Sequence, residues 1–460
     1  MKPELLPYSS YRPSTIPWLG DVPEHWEVSR GKTIFVPIDK RSQTGSEDLL
    51  TVSARHGVVP RETATVTMFK AESYVGHKLC WPGDLVINSL WAWAGGLGVS
   101  RHHGIVSTAY GVFRPQPEIN SQFIHLLVRS IPFQWELQVR SKGIWLSRLQ
   151  LSDDAFLNAP FPLPPLAEQQ AIVRYLNYMN RRVQKYINSQ RQLIGLLEEE
   201  KQAIINHTVT RGLDPSVQVK PTGGERSGNV PVHWQTARLG QIGRFSKGSG
   251  GTKDDDVDHG LPCIRYGDLY SRYEFHIESS GSYIASDRSG DYTQIEYGDI
   301  LFAGSGESIE EIGKSAVNLI DEDAYCGGDV ILFRFKVEVN PRFAGYAIDC
   351  FQNACQKSRA GRGITVMHIY STQLKHIHIA LPPLHEQASI VEYLDKATSD
   401  IDSALARIRQ QIELVEEYRT RLVADVVTGK LDVRELTVQF SALGEEQDFA
   451  SSMPNWRTAL

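Results

Sequence analysis

A domain-sized internal repeat is the feature that most limits what this chain can fold into. LPPLAEQQAIVRYL begins at Leu163, and nearly the same letters, LPPLHEQASIVEYL, begin again at Leu381. Upstream, Gly20–Trp26 (GDVPEHW) matches Gly228–Trp234 (GNVPVHW). A repeat of this length indicates a duplicated unit and not a solenoid. Because the offset between the LPPL copies exceeds the upstream offset by ten residues, the second globular segment is the longer one.

Each LPPL copy is followed by a 4-3 alternation of apolar residues, which predicts a long amphipathic helix. A spacing of 3.5 residues places these side chains on the narrow seam of a coiled coil. Each helix would hold about 40 residues and reach roughly 60 Å. The simplest partner of each helix is its duplicate, and the alternative is packing on the adjacent globular segment. The predicted seam runs from Ile172 to Leu197 in the first helix and from Ile390 to Leu422 in the second. It includes Leu176, Val183, Tyr186, Gln190, Leu193 and Leu197 in the first, and Leu394, Ile401, Ile408, Gln411 and Val415 in the second.

The two globular segments, about 27–162 and 235–380, are predicted to be α+β domains that share one fold. Short β-rich runs such as DLVINSL and DVILFRF alternate with glycine-rich turns. Framework residues also match between the segments: Gly83-Asp84 with Gly298-Asp299, Gly98 and Ser100 with Gly313 and Ser315, and Phe113-Arg114 with Phe333-Arg334. The loops between these positions have diverged. This contrast is typical of a protein whose helices hold invariant partners and whose loops recognise two different targets.

Composition places the chain among ordinary globular proteins. Its 460 residues are enough for two or three domains, and 41% of them are hydrophobic. The N-terminus has no signal-peptide core and no apolar run reaches membrane length, so a cytoplasmic location is expected. The five cysteines form no CxxC pair, which predicts reduced thiols and no zinc site. A net charge of −6 weakens any argument for nucleic acid from bulk electrostatics.

Motifs for catalysis are weak. Phe302–Gly306 (FAGSG) resembles the loop that holds S-adenosylmethionine in DNA methyltransferases, and Asn158–Phe161 (NAPF) echoes their catalytic tetrapeptide. The glycine loop lacks the βαβ context that such a site needs. The acidic run Lys253–Asp256 is expected to be a solvated turn. We therefore predict no catalytic residues, no metal and no cofactor.

Basic and aromatic residues in the glycine-rich loops are the candidate DNA contacts. Glycine lets a backbone approach phosphate closely, and Arg or Lys can neutralise phosphate or read guanine edges. The alternative for each residue is an ordinary exposed side chain. The candidates are Arg101, His102, His103 and Lys142 in the first segment, and Lys247, Lys253, Arg265, Tyr266, Ser305, Arg359 and Arg362 in the second. Gly143 and Gly361 are predicted to be equivalent, and Trp91 and Trp93 are predicted to be core residues.

The order Pro-x-His-Trp, variable domain, LPPLxEQ and long helix, occurring twice, resembles the specificity subunit of type I restriction–modification systems. The resemblance covers residues 11–432. It implies two target-recognition domains separated by two long antiparallel coiled-coil helices, with each domain reading one half of a bipartite site in double-stranded DNA. It also implies docking of two modification (methyltransferase) subunits near the repeats, with the restriction/translocase subunits joining through the complex. By this resemblance the chain itself is not an enzyme.

The resemblance divides the chain as follows: an N-terminal segment and first recognition domain (1–162), a central helix (163–212), a second recognition domain (213–380), a C-terminal helix (381–430) and a tail expected to be disordered (431–460). Two rival hypotheses remain. One is an enzyme that binds a methyl donor through FAGSG. The other is a coiled-coil adaptor with no role on DNA.

Overall fold

The computed structural model describes residues 6–64, 73–144, 149–221, 228–251, 255–363 and 366–436. The chain divides into two compact units: unit 1 comprises residues 1–189 and 410–460, and unit 2 comprises residues 190–409. Lys253 and the tail 441–460, for which the sequence made predictions, lie outside the described residues.

Two long helices run through both units and are divided between them. Helix α5 spans Leu166–Arg211 and helix α11 spans Leu384–Val427, so unit 1 holds the start of α5 and the end of α11, and unit 2 holds the remaining halves. Both helices begin directly after a Pro-Pro pair, where the missing N–H groups cost no helical hydrogen bond. Each helix is followed by a glycine in the left-handed region, Gly212 (φ +77°) and Gly429 (φ +81°).

Unit 1 is built on a four-stranded antiparallel sheet with strand order β4-β11-β8-β9. Its elements are β1 (Tyr11–Pro13), β2 (Asp21–Pro23), β3 (Glu27–Arg30), α1 (Gly31–Ile34), β4 (Phe35–Pro37), β5 (Leu50–Ser53), β6 (Gly57–Pro60), β7 (Lys78–Cys80), β8 (Leu85–Asn88), β9 (Leu97–Val99), β10 (Gly104–Val106), β11 (Tyr110–Pro115), α2 (Ser121–Val128), α3 (Ile131–Arg140), α4 (Asp153–Leu157) and β12 (Pro160–Leu163). Strand β12 pairs with β3, and two residues separate the end of β12 from the start of α5.

Unit 2 repeats this sheet, and one further strand, β19, is added at its edge, giving the order β16-β26-β22-β24-β19. Its elements are β13 (Val219–Pro221), β14 (Asn229–Pro231), β15 (Gln235–Arg238), α6 (Leu239–Ile242), β16 (Gly243–Lys247), β17 (Asp256–Val257), β18 (Leu261–Ile264), α7 (Tyr266–Ser271), β19 (His276–Ile277), β20 (Tyr283–Ile284), β21 (Thr293–Ile295), β22 (Ile300–Ala303), β23 (Ser305–Gly306), β24 (Ser315–Asn318), β25 (Ala324–Cys326), β26 (Val330–Phe335), α8 (Pro341–Asp349), α9 (Phe351–Ala360), β27 (Met367–His368), α10 (Ser371–Leu374) and β28 (His378–Leu381). Strand β15 pairs with β28, as β3 pairs with β12.

In both sheets a buried aspartate just before the central strand, β8 or β22, forms an ion pair with an arginine of the neighbouring strand, β11 or β26. The Nε and Nη2 atoms of Arg114 donate to the two carboxylate oxygens of Asp84, at 2.8 and 3.0 Å. The same atoms of Arg334 donate to Asp299, at 2.8 and 2.7 Å. Each aspartate is 1% exposed. The match of Gly-Asp and Phe-Arg between the segments is therefore a shared structural pair. A buried carboxylate is tolerated because a bidentate guanidinium satisfies it.

Strand register corrects another internal match. Val86 of β8 pairs with Gly98 of β9, and Leu301 of β22 pairs with Ala316 of β24. Because Leu301 occupies the place of Val86, Gly98 corresponds to Ala316. The predicted matches of Gly98 with Gly313 and of Ser100 with Ser315 are therefore wrong by three residues, since the turn that precedes this strand is longer in unit 2.

Within each unit, the halves of α5 and α11 run antiparallel. In unit 2, Glu198 pairs with Arg409 at 2.8 Å and Lys201 pairs with Asp402 at 2.8 Å, so one sequence number rises as the other falls. In unit 1, the Tyr186 hydroxyl donates to Oε1 of Gln411 at 3.2 Å. The fold class predicted from the sequence, α+β with two similar domains and two long antiparallel helices, is confirmed.

The most buried positions of the two helices differ in part from the predicted seam. Of the predicted residues, Leu176, Val183, Leu394 and Ile408 are buried, Gln190, Leu197, Ile401 and Val415 are half-buried, and Tyr186, Leu193 and Gln411 are exposed. Ile187 and Leu405, outside the predicted seam, are 1% and 3% exposed. On α5 the buried side chain at this level is therefore Ile187, one residue after the predicted Tyr186.

Segments from both ends of the described chain lie together in unit 1. The backbone N–H of Asp432 donates to Leu6 O at 2.8 Å, and the Arg434 guanidinium lies over the Tyr8 ring at 5.1 Å from its centroid. Val433 and Leu436 are buried in the same core as Trp26. Unit 1 is thus completed by residues that follow α11.

Candidate nucleic-acid interface

The repeated sequence motifs form one hydrogen-bonded clamp in unit 1. Glu168, in the first turn of α5, accepts hydrogen bonds from Trp26 Nε1 at 2.9 Å and from the Tyr8 hydroxyl at 2.7 Å, and it pairs with His25 Nε2 at 2.8 Å. Its side chain is 6% exposed. Burial raises the pKa of Tyr8, and the neighbouring Glu168 raises it further. The Pro-x-His-Trp motif therefore fixes the start of the long helix.

Unit 2 contains the same clamp in a more open form. Glu386 accepts from Trp234 Nε1 at 3.0 Å and pairs with His233 Nε2 at 2.9 Å. Its side chain is 22% exposed. The two clamps therefore share geometry and differ in burial.

The glutamine of each LPPLxEQ motif ties the helix start to the globular part. Gln169 Oε1 accepts from the backbone N–H of Asn120, and Gln387 Oε1 accepts from that of Asn340, both at 2.8 Å. Asn120 and Asn340 in turn cap helices α2 and α8 with their side-chain oxygens. These two matched hydrogen bonds also show that Asn120 of unit 1 and Asn340 of unit 2 are structurally equivalent.

Two loops converge at the same place on each unit. One leaves the central strand β8 or β22 (residues 89–96 and 304–313), and we call it the strand-exit loop. The other follows helix α3 or α9, and we call it the basic loop; its described residues are 141–144 and 149–151 in unit 1 and 361–363 and 366–370 in unit 2. In unit 1 the loops meet where Leu151 N donates to Ser89 O at 2.9 Å, and in unit 2 where Ile369 N donates to Gly304 O at 3.0 Å.

Each basic loop carries a cation followed by a glycine that needs positive φ. Lys142 forms an antiparallel bridge to Gln150, and Arg362 forms one to His368. Gly143 has φ +158° and Gly363 has φ +145°, a region that L side chains rarely adopt. Gly143 therefore corresponds to Gly363. The predicted match with Gly361 is wrong by two residues, because the units are offset by 220 residues here, as at Asn120 and Asn340, and by 218 at the LPPL motifs.

The convergent loops of unit 2 bring two predicted contacts and two further side chains together. Ser305 Oγ lies 3.0 Å from Nδ1 of His368, and strand β23 pairs with β27. The Tyr370 ring, 58% exposed, stacks on His368 with centroids 6.3 Å apart. Arg362 is exposed beside them. Ser305 and Arg362 were predicted from the sequence, whereas His368 and Tyr370 were not, because neither residue adjoins a glycine in the sequence.

A buried charge cluster supports this surface in unit 2. Lys357, 1% exposed, binds Asp349 at 2.5 Å and Ser315 Oγ at 3.1 Å, and its Cδ would lie 3.3 Å from a Cβ at Gly313. Burial alone would raise the pKa of Asp349, but Lys357 and Lys314 hold it below its usual value. In unit 1 the position of Lys357 is occupied by buried Leu137. The residues buried beneath the loops therefore also differ between the units, with a charged cluster in unit 2 and an apolar side chain in unit 1.

The other predicted contacts lie on several parts of the units. Arg101, His102 and His103 follow β9, with the His103 ring 5.4 Å from that of Trp81. Lys247 is exposed at the end of β16, and Tyr266, at the start of α7, is 43% exposed. Arg359 is exposed in the last turn of α9.

Arg265 is engaged by the protein itself. Its guanidinium forms an ion pair with Asp256, donates to Gly251 O at 3.0 Å and lies over the Tyr292 ring at 5.4 Å. The side chain is 11% exposed. These contacts leave little of the guanidinium for an external ligand.

The two methyltransferase-like motifs have no site geometry here. Phe302–Gly306 runs from β22 into β23, which pairs with β27 and does not open a helix. Asn158 ends helix α4 and Phe161 is fully buried in β12. Within the described ranges, no group of three or more His, Cys, Asp or Glu residues could hold a metal ion. No helix in the described part of the chain combines the length and apolar character that a membrane span requires.

Comparisons with known proteins agree with the repeated motifs. A family model for the type I restriction modification DNA specificity domain matches residues 231–414. The MjaVIII type I restriction enzyme specificity subunit of Methanocaldococcus jannaschii is 23% identical over 433 residues, covering 90% of this chain and 95% of that protein. The EcoBI specificity subunit of Escherichia coli is 34% identical over 101 residues, 21% of either chain.

A solved chain, from a study of complex assembly and conformational transition of the type I R-M system, has the same fold. It aligns with a TM-score of 0.64 at 18% identity, covering 89% of this chain and 99% of the other. The resemblance inferred from the paired motifs is confirmed by these matches.

Proposed function

We propose how this chain, a DNA specificity subunit of a type I restriction–modification system, selects its target: unit 1 reads one half of a bipartite DNA site, and unit 2 reads the other. The convergent loops of each unit are the reading surface. The clamps and the long helices form the part that both halves have in common.

One observation carries this proposal. The two units share the Asp–Arg pair, the Trp–Glu clamp and the meeting point of the two loops. The side chains presented at that meeting point differ: Leu90 and Trp91 in unit 1, Ser305 and His368 in unit 2. A shared frame with different surface chemistry is what two different half-sites require.

We assign phosphate contacts to Lys142 and Arg362. They occupy equivalent positions, both are cationic, and the glycine after each lets the backbone approach a phosphate closely. His368, Tyr370 and Ser305 are proposed to face base edges, where hydroxyl and imidazole groups can form hydrogen bonds. Arg101, His102, His103, Lys247, Lys253, Tyr266 and Arg359 are kept as further proposed DNA contacts, whereas Arg265 is proposed to hold Asp256 and Tyr292 in place.

The helices are proposed to set the distance between the half-sites and to dock two methyltransferase subunits, through which restriction/translocase subunits join. The chain itself is proposed to be non-catalytic and cytoplasmic, where its DNA target lies. Since net charge is −6, it should bind DNA weakly alone and tightly in the complex. Tight sequence-specific binding by the purified chain alone would contradict this division.

Methylome sequencing of cells with and without the gene tests the function. Loss of a bipartite methylation pattern on deletion is expected. A strain carrying His368→Ala with Ser305→Ala should relax only one half-site, which identifies the half read by unit 2. Relaxation of both half-sites together, or of neither, would show that the units do not divide the target. An unchanged pattern on deletion would favour the adaptor hypothesis.

A further inference from the structure

The strand-exit loop of unit 1 presents two large apolar side chains to solvent. Leu90 is 50% exposed and Trp91 is 53% exposed, whereas the sequence pattern placed Trp91 in the core. They occupy the positions that Ser305 and Gly306 hold in unit 2, counted from the equivalent meeting points at Ser89 and Gly304. A single exposed apolar residue is ordinary. Two adjacent ones at the centre of a proposed reading surface require a partner that is apolar at that point.

The loop that carries these side chains is held in one shape. Trp91 N donates to Asn88 O at 3.0 Å, and Gly96 N donates to Trp91 O at 2.7 Å. A Cβ added at Gly96 would lie 2.7 Å from Trp91 Cβ, so the two residues are packed together. Gly95 has φ +83° and ends the 3-10 turn Ala92–Ala94, whose Ala92 is fully buried. Binding therefore requires little ordering of this loop.

The geometry of the tryptophans restricts what they can contact. The rings of Trp91 and Trp93 stack at 17° with centroids 6.1 Å apart, so one face of Trp91 is turned towards Trp93. A side chain that wedges between base pairs needs both faces. The Trp93 indole N–H donates to Leu90 O at 3.1 Å and is not available to a base edge. Leu90 and the remaining face of the Trp91 ring therefore offer a one-sided apolar contact.

We propose that Leu90 and Trp91 are specificity-determining residues that contact the 5-methyl group of thymine in the half-site read by unit 1. This inference rests on the proposed function, because it takes the convergent loops as the reading surface. The thymine methyl is the one apolar group that base pairs expose in the major groove. Lys142, in the adjoining basic loop, holds the neighbouring phosphate. The half-site of unit 2 meets Ser305 in place of this apolar surface.

The test uses the chain assembled with its methyltransferase subunits. Duplexes carry the bipartite site found by methylome sequencing, with each thymine of the unit 1 half-site replaced in turn by deoxyuridine, and the Kd is measured by fluorescence anisotropy. At one or more positions, deoxyuridine should weaken binding by about fourfold, the effect of one buried methyl group. With Trp91→Ala, thymine and deoxyuridine should bind equally.

Leu90→Asn, a second variant on an exposed side chain, should reduce the same discrimination. Trp135→Ala is the matched control, since Trp135 is 61% exposed on α3 and outside the loop, and it should retain discrimination. The inference is overturned if the wild-type complex is indifferent to deoxyuridine, if Trp91→Ala still discriminates, or if the half-site has no thymine on either strand. None of these results decides whether the two units read different half-sites, because that proposal is tested separately by the unit 2 variant, His368→Ala with Ser305→Ala.

Discussion

The indole N–H of Trp26 donates to Oε1 of Glu168 over 2.9 Å, joining two motifs that lie 142 residues apart in the chain. Trp234 and Glu386 form the same bond, at 3.0 Å, across 152 residues. The ten additional residues of the second globular segment therefore lie between the two ends of the clamp and leave its geometry unchanged.

Removing the clamp carboxylates should have unequal effects on the two units. Glu168→Ala removes the partner of Tyr8, Trp26 and His25 in a buried place, and we expect a loss of about 3 kcal/mol in the unfolding free energy of unit 1. Glu386→Ala affects two donors in a more exposed place and should cost unit 2 about 1 kcal/mol. Hydrogen exchange across a urea series resolves each unit. Exposed Glu199→Ala is the control, and equal losses would contradict this account.

Unit 1 should lose stability in mild acid through His125. Burial, with Arg129 and Arg101 nearby, lowers the pKa of His125 to about 3, and its Nδ1 accepts from Val99 N. A depressed pKa means that the unfolded chain takes up the proton first. The stabilisation from the neutral ring is thus complete above pH 6.5 and is lost as the pH falls towards 3. Between pH 6.5 and pH 5 the loss is about 2 kcal/mol.

The measurement is the pH dependence of unit 1 unfolding, compared with His125→Asn, which keeps an acceptor but does not titrate in this range. The difference between wild type and variant isolates the histidine. In unit 2, Gly345 holds the equivalent position five residues after the helix cap, so this contribution belongs to unit 1 alone. Parallel acid curves for wild type and variant would refute the prediction.

The cations of the basic loops should act on affinity more than on sequence choice. Lys142→Ala and Arg362→Ala should each lower the slope of log K against log salt by about 1 in the assembled complex. Lys220→Ala, in β13 and outside the loops, should leave the slope unchanged. A change in the methylated sequence without a change in slope would assign these residues to base contacts.

An insertion in the helices should change spacing without changing recognition. Four residues inserted after Gln190 in α5, with four inserted after Ile408 in α11 to keep the antiparallel partners matched, add about 6 Å of helix. Methylome sequencing should show both half-sites unchanged and a longer spacer. Altered half-sites with a constant spacer would overturn the proposed role of the helices.

The repeat made much of this fold predictable. It is visible in the letters, and it pointed to the long helices and to the framework positions of Asp84 and Arg114 before any contact was known. The partner of Trp26 was not predictable, because a hydrogen bond between distant parts of a chain leaves no periodic signal. His125 was equally hidden, since a buried histidine and an exposed one read alike.

The seam shows why side-chain burial is harder to predict than a helix. A 3.5-residue pattern fitted through Tyr186 and Leu193 is one residue from the stripe through Ile187 and Ile194, and both stripes contain apolar residues. Trp91 is another such case: the sequence favours a core position over an exposed one, whereas the loop is held so that the ring stays exposed.

The bond between Asp432 and Leu6 has a consequence for synthesis on the ribosome. Unit 2 is an uninterrupted stretch of chain, 190–409, and all of it has been translated before the end of α11 exists. The core of unit 1 includes Leu422, Val426 and Val433. Part of its apolar surface therefore stays uncovered while all of unit 2 is being translated. Closing so long a loop costs little at equilibrium but is slow. The half of the molecule that begins first is therefore the half that must finish last.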